Sequence, residues 1–245
     1  MKKLLKATAA IMLSTVVAFT LGCKPDEEPN NGGGGNGGNG NNGGGDLNSH
    51  EYVDLGLPSG TLWATCNVGA NSPEECGFYF AWGETEPKDS YSWSNYKYCY
   101  QIEHALTKYC YNAQYGLNSF TDNLMTLVPA DDAATANWGS DWRTPTYADF
   151  EELWNNTDVK WTIQNGMCGV LRTAPNGNTL FFPAAGGWRE DFNPDLYYLC
   201  EYWMSTLSES SPVHADYYNF GLSGYSYGPN RYRGFSVRPV RSSRQ

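Results

Sequence analysis

The sequence predicts an α+β domain of mostly short antiparallel strands, with one or two helices and long loops. Short runs of apolar and β-branched residues recur along it, closed off by Gly, Pro and Asn turn signals. Only one segment carries a well-formed helix start. A long stretch, residues 84–140, is rich in aromatic and polar side chains and has neither strand nor helix periodicity.

In chain order, Tyr52–Leu57 alternates and stops at Pro58-Ser59-Gly60, and Thr61–Val68 resumes, so the two read as a hairpin. Gly77–Trp82 is a third, aromatic strand. Thr146 is placed to cap a helix, with Asp149 three residues on completing a capping box. Phe150, Leu153 and Trp154 then fall on one helical face. Val159–Gln164 reads as a strand. Gly169–Ala174 and Thr179–Pro183 flank Asn176-Gly177, a strong hairpin turn. Tyr198–Leu207, Ala215–Leu222 and Gly234–Val240 complete the strands.

The chain of 245 residues is 40% hydrophobic and 17% charged, enough for a core. Removing Lys2, Lys3 and Lys6 with the leader takes the net charge from −10 to −13, a balance that repels phosphate backbones and speaks against nucleic acid as a partner. Residues 1–22 read as an export signal: those lysines, an apolar run from Ala7 to Leu21, then Gly22 before Cys23. The apolar run is shorter than the ~20 residues needed to span a bilayer. Thr20-Leu21-Gly22-Cys23 resembles a bacterial lipobox, which makes Cys23 the candidate lipidation site; Thr20 departs from the usual Leu. An ordinary secretory signal with a chance cysteine is the alternative.

Residues 23–46 read as a tether. Lys24-Pro25-Asp26-Glu27-Glu28 resembles the acidic tag of lipoproteins displayed outside certain Gram-negative bacteria, and positions 30–45 are all Gly or Asn. Such a segment cannot build a core, and 22 flexible residues reach ~25 Å on average. Gly33, Gly35 and Gly38 match a dinucleotide-binding pattern without the flanking strand and helix, and Glu28-Pro29-Asn30 spells a lectin calcium triplet inside the tether; both fail on context. The expected location is therefore the outer face of the outer membrane, held by lipid, with the folded domain at residues 47–245.

Six blocks in that domain carry a family resemblance. VDLGLPSGTLWATCNVGA (Val53–Ala70), GFYFAWGETEPK (Gly77–Lys88), DDAATANWGSDWRTPTYADFEEL (Asp131–Leu153), FFPAAG (Phe181–Gly186), YWMST (Tyr202–Thr206) and GFSVRPVR (Gly234–Arg241) resemble FISUMP, or major paralogous, domains. The resemblance implies a C-type-lectin-like fold, related in outline to formylglycine-generating enzymes and to the variable receptor-binding proteins of diversity-generating retroelements. It also implies that the first and last strands pair, Val53–Leu57 beside Ser236–Val240. Fold alone is not evidence of an activity.

No catalytic constellation stands out. His50, His104 and His214 lack metal-site spacing, no Cys-x-x-Cys occurs, and no metal ligands are assigned. Asp131, Asp132 and Asp141 are a weak calcium candidate, and no other cofactor is expected. Glu84, Glu86, Asp131, Asp132, Glu190 and Asp191 supply carboxylates for glycoside hydrolysis, but their separation in space decides that chemistry. Beyond Cys23 six cysteines remain, an even count in an exported domain. The repeated Lys-Tyr-Cys-Tyr makes Cys99 and Cys110 one disulfide candidate, and Cys66 and Cys76 another; buried thiols are the alternative. No cysteine follows Cys200, so the chemistry of formylglycine-generating enzymes lacks its thiols.

Ser205–Arg233 has the composition of a recognition surface, in which Tyr supplies contact area and Ser, Gly and Asn adaptable hydrogen bonds. The candidate ligand-binding residues are Tyr217, Asn219, Tyr225, Tyr227, Asn230 and Tyr232, about half of these tyrosines being expected to pack beneath the loops. In the variable proteins of that fold the corresponding segment reads the ligand. Trp63, Trp82, Trp142, Trp203, Phe235 and Val237 are candidate core, and Arg238 and Arg241 are assigned to local packing or ion pairs. The expected function is non-catalytic binding of a glycan or a surface protein. A structural or adhesin-assembly component of the envelope is the alternative, and a glycan-active or sulfatase-maturation-like enzyme the third reading.

Overall fold

The computed structural model describes residues 50–220 and 228–243. Cys23, the tether, and Tyr225 and Tyr227 lie outside the described residues. The described chain forms β1 (Tyr52–Val53), β2 (Thr61–Ala64), β3 (Tyr79–Phe80), α1 (Ala133–Trp138), α2 (Tyr147–Asn156), β4 (Asp158–Gln164), β5 (Met167–Thr173), β6 (Thr179–Pro183), β7 (Glu201–Leu207), β8 (Ala215–Asn219), β9 (Phe235–Ser236) and β10 (Val240–Ser242). This is a mixed, mostly antiparallel α+β architecture in three small sheets, ordered β1-β2-β10, β3-β9-β7-β8 and β4-β5-β6.

The local signals explain most of these elements. β1 and β2 pair with Val53 opposite Trp63. Thr146 caps α2: its hydroxyl accepts from the Asp149 N–H, and Asp149 accepts in return from the Thr146 N–H at 2.7 Å. Asp149 also takes both terminal nitrogens of Arg143, at 2.7 and 2.9 Å, which ties the helix start to the strand-like segment beside β10. β5 and β6 flank Asn176-Gly177, and β4 and β5 are joined by a second Asn-Gly pair at 165–166. There both residues have positive φ, 48° and 81°, the signature of a two-residue type I′ hairpin.

The final strand differs from expectation. Gly234–Val240 is two strands in two sheets, β9 against β3 and β10 against β2. Pro239 has no N–H for a ladder, and its carbonyl accepts instead from Ala64 N at 2.9 Å. Arg238, fully buried at the crossing, donates to the Ala64 and Thr65 carbonyls and to Asn67 Oδ1. As a result β10 pairs with β2, and the pairing of first with last strand that the resemblance implied is replaced by β2 lying between them.

The long sheet is sandwiched between two cores. Along β7, Tyr202 and Met204 enter one cluster with Trp63, Phe150, Val170 and Phe182, while Trp203 and Leu207 enter a second with Phe80, Trp82, Tyr109 and Phe235. Alternate residues of β8 do the same, Tyr218 to the first and Tyr217 to the second. A strand buried on both faces reads as a continuous apolar run. Trp63, Trp82, Trp142, Trp203, Phe235 and Val237 are all buried, as expected of core.

The stretch 84–132 is fastened by tyrosine hydroxyls rather than by repeating backbone pairing. Tyr91 donates to the Tyr79 carbonyl and Tyr96 to that of Trp82. Tyr98 and Tyr109 both donate to Asp131. Asp132 then N-caps α1, a six-residue helix too short to show periodicity in the sequence.

Candidate functional site

Four of the six expected ligand-binding residues fall within the described chain, and two of them are corrections. Tyr217 and Asn219 are buried in β8, because that strand packs on both faces; the Tyr217 ring stacks on Phe235 at 5.5 Å. Asn230 and Tyr232 are half-buried. Asn230 is bridged to His214, and Tyr232 packs edge-on against Trp93 at 5.1 Å.

The strand-poor segment 186–193 lies over the segment that ends at β9, and together they form a loop-built face. Trp188 and Gly234 exchange backbone hydrogen bonds at 2.9 and 3.2 Å, as do Tyr91 and Glu190, both at 2.8 Å. Arg189 and Phe192 close a tight turn in the same way. Asn193 locks its base: Oδ1 accepts from Gly187 N at 3.1 Å and Nδ2 donates to the Ala185 carbonyl at 2.8 Å. Glycine is required where this layer meets the core, since a Cβ on Gly187 would stand 2.0 Å from the Phe235 ring and one on Gly234 2.7 Å from Tyr91. The two segments carry Phe192, exposed, and Trp188 and Tyr232, half-exposed, with half-exposed Trp93 packed against Tyr232. Arg189, paired with Asp195 at 3.2 Å, and Arg233, over Phe235, add cationic groups.

Beneath this face lies Glu201, which the sequence reading did not single out. It is 4% exposed, and its Oε2 has no hydrogen-bond partner among the described residues. Burial, with the Asp195 carboxylate nearby, raises its pKa to about 7 against the opposing pull of Arg189. No pattern flags it, because its character comes from Gly187 and Phe235 closing over it.

The other candidate residues have structural work. Burial would raise Asp131, but hydrogen bonds from Lys108, Tyr98 and Tyr109 outweigh it and hold the carboxyl below its usual range. Asp132 accepts from Thr144 N and Oγ1 besides capping α1, and Asp141 pairs with Arg241 at the surface. The calcium candidate is thereby dispersed into three separate tasks; among the described residues no three His, Cys, Asp or Glu side chains gather as a cation site. Glu84 is taken by Lys88 at 2.9 Å and by Lys97 N at 2.7 Å, while Glu86, Glu190 and Asp191 are exposed. His50 stacks on Trp138 and His104 on Tyr115.

The disulfide expectations are also corrected: Cys66, Cys76, Cys99 and Cys110 are all thiols. Cys99 lies across from Leu106 in a local antiparallel bridge, which carries Cys110 beyond the pairing. Cys99 Sγ donates to the Trp93 carbonyl at 3.1 Å and Cys110 Sγ to that of Asn112 at 3.2 Å. Cys66 contacts the Thr65 hydroxyl, and the Cys76 thiol lies beside the Tyr79 side chain.

An open cleft of about 450 Å³ lies between the 72–75 loop and the β4–β5 turn, lined by Glu74, Glu75, Asn165, Met167 and Tyr197. Glu74 is committed to Gln164 Nε2 at 2.6 Å and Asn165 Nδ2 at 3.1 Å, so the cleft offers few unengaged polar groups. Comparison with models of protein families, with curated proteins and with solved structures gave no match to this chain.

Proposed function

We propose that this is a lipid-anchored surface lipoprotein of the FISUMP type, displayed on the outer membrane, whose C-type-lectin-like domain binds a glycan or surface protein without chemistry. The supporting observation is the loop face at 186–193 and 228–234. Its rings stand on a backbone fixed by reciprocal hydrogen bonds and glycine-tight packing, so little ordering cost accompanies binding. Aromatic faces stack on the apolar faces of sugars, and Arg189, Arg233 and the Tyr232 hydroxyl supply directional contacts. Tyr225 and Tyr227, outside the described residues, remain proposed ligand-binding residues on the composition of Ser205–Arg233 alone. The buried roles of Glu84, Asp131 and Asp132 favour binding over hydrolysis.

The test is a glycan array and a cell-surface pull-down with the chain from Leu47 to Gln245. Phe192→Ala is expected to weaken capture at least ~10-fold, the scale of an interface anchor, with an unchanged melting temperature. Tyr232→Ala should weaken it too, with a small loss of stability from its contact with Trp93. Capture that is indifferent to Phe192, Tyr232, Tyr225 and Tyr227 would overturn the assignment of this face, and turnover of a glycan would overturn the non-catalytic reading.

A further inference from the structure

β4 is an outer strand of its sheet, paired only with β5. Its register follows from the turn: in a two-residue hairpin the closing residues Gln164 and Met167 form a hydrogen-bonded pair, so alternation turns Thr162, Lys160 and Asp158 toward β5 as well. The N–H and C=O groups of Val159, Trp161 and Ile163 therefore point away from the sheet, and no described residue bonds to them.

The side chains of these same three residues are exposed, at 51%, 36% and 57%. Their cross-strand neighbours on that face, Arg172, Val170 and Cys168, are buried. β4 thus carries core-type side chains past the edge of the core. Trp154 of α2, itself exposed, extends the patch: Arg172, which faces Val159, lies over its ring at 5.0 Å. Monomeric proteins blunt such edges with charge, proline or short length. Here the strand is seven residues long, and its one basic guard, Lys160, points to the opposite face.

The pattern of β4 selects the partner. Around Trp161 it is symmetric in character: Val159 matches Ile163, Lys160 matches Thr162, and Asp158 matches Gln164. We propose that two copies of this chain associate antiparallel through β4, two-fold about Trp161, to give a continuous sheet of six strands. In that register every outward N–H and C=O of the three residues finds a partner, Val159 opposes Ile163, and no like charges face each other. Centring on Lys160 instead sets the two ammonium groups opposite one another and leaves Ile163 unpaired. A strand edge with three or four half-exposed side chains buries roughly half of the ~800 Å² per partner typical of stable complexes. The association is accordingly weak in dilute solution and is strengthened where two anchored copies share a surface.

The experiment uses the full chain with Lys160→Cys and Thr162→Cys together. Across the two-fold these positions form a non-hydrogen-bonded pair with Cα atoms ~4.5 Å apart, within disulfide range. Mild oxidation should yield a covalent dimer on a non-reducing gel, above the background given by the unaltered chain. Adding Trp161→Lys should reduce the dimer at least ~10-fold, and Ile163→Lys should do the same, with circular dichroism unchanged in each. No dimer, a yield indifferent to both lysines, or crosslinks only to other proteins would overturn the proposal. Trp161→Lys is expected to leave capture at the loop face intact, so the two readings fail separately.

Discussion

Glu201 exposes a pH dependence that can be isolated at a single residue. Its carboxyl is raised from 4.5 to about 7 by burial. Below pH 4.5 it is protonated in both folded and unfolded chains and contributes nothing. Between pH 4.5 and 7 the unfolded chain releases the proton while the folded chain keeps it, so rising pH favours unfolding. Above pH 7 the cost is complete, on the order of 3 kcal/mol from the size of the shift. Glu201→Gln should therefore flatten the stability profile: its advantage over the parent grows from pH 4.5 to 7 and is constant beyond. Urea titrations across that range measure it, and parallel profiles for the two proteins would refute the assignment. Asp131 and Asp149 act with the opposite sign, since their lowered pKa values favour folding at neutral pH and lose that support as acid titrates them. The difference between variant and parent cancels them.

Among the elements, α2 rests most visibly on one residue. Thr146 accepts from the Asp149 N–H and donates to Asp149 Oδ2 at 2.6 Å, and Asp149 holds Arg143 in turn. Thr146→Ala is expected to cost about 1–2 kcal/mol, the range for losing an N-cap, without changing the steepness of denaturant unfolding. A cost near zero would mean that Arg143 and the Thr146 N–H carry the helix start alone. This element was legible because its information is local: a cap, its reciprocal acid and three apolar residues on one face. The Asn176-Gly177 hairpin was legible for the same reason, and Asn165-Gly166 offered the same signal. What could not be read depends on distant partners. α1 is six residues capped by an aspartate that Thr144 also holds, and Gly234–Val240 divides because Ala64 and Asn67 claim the groups around Arg238 and Pro239. The tyrosines of 84–132 have no period because Tyr91, Tyr96 and Tyr111 each find a separate carbonyl while Tyr98 and Tyr109 share Asp131.

At the scale of the molecule, the layering of two cores about one sheet decides which aromatic residues remain available for binding. Composition marked Ser205–Arg233 as a recognition segment, yet its first half runs through β7 and β8, where both faces are covered; Tyr217 and Asn219 are consumed by that. The same layering bears on the cysteines. The six cysteines beyond Cys23 invite pairing by count and by the repeated Lys-Tyr-Cys-Tyr, but a disulfide needs Cα atoms within about 7 Å and converging Cβ vectors. The bridge from Cys99 to Leu106 offsets Cys110, and the thiols of Cys66, Cys99 and Cys110 are each satisfied locally. Burial pushes the Cys76, Cys99 and Cys110 thiols up, so little thiolate exists to attack a disulfide or an alkylating reagent at neutral pH. Two results follow for purified protein handled without reductant. Added reductant should leave the melting temperature unchanged. Iodoacetamide followed by mass mapping should leave buried Cys110 unmodified in the native state, label Cys76 and Cys99 slowly, and modify all four in denaturant. Two of them remaining blocked in denaturant until reductant is added would reveal a bond, and the pair so identified would show which local contacts the chain gives up to form it.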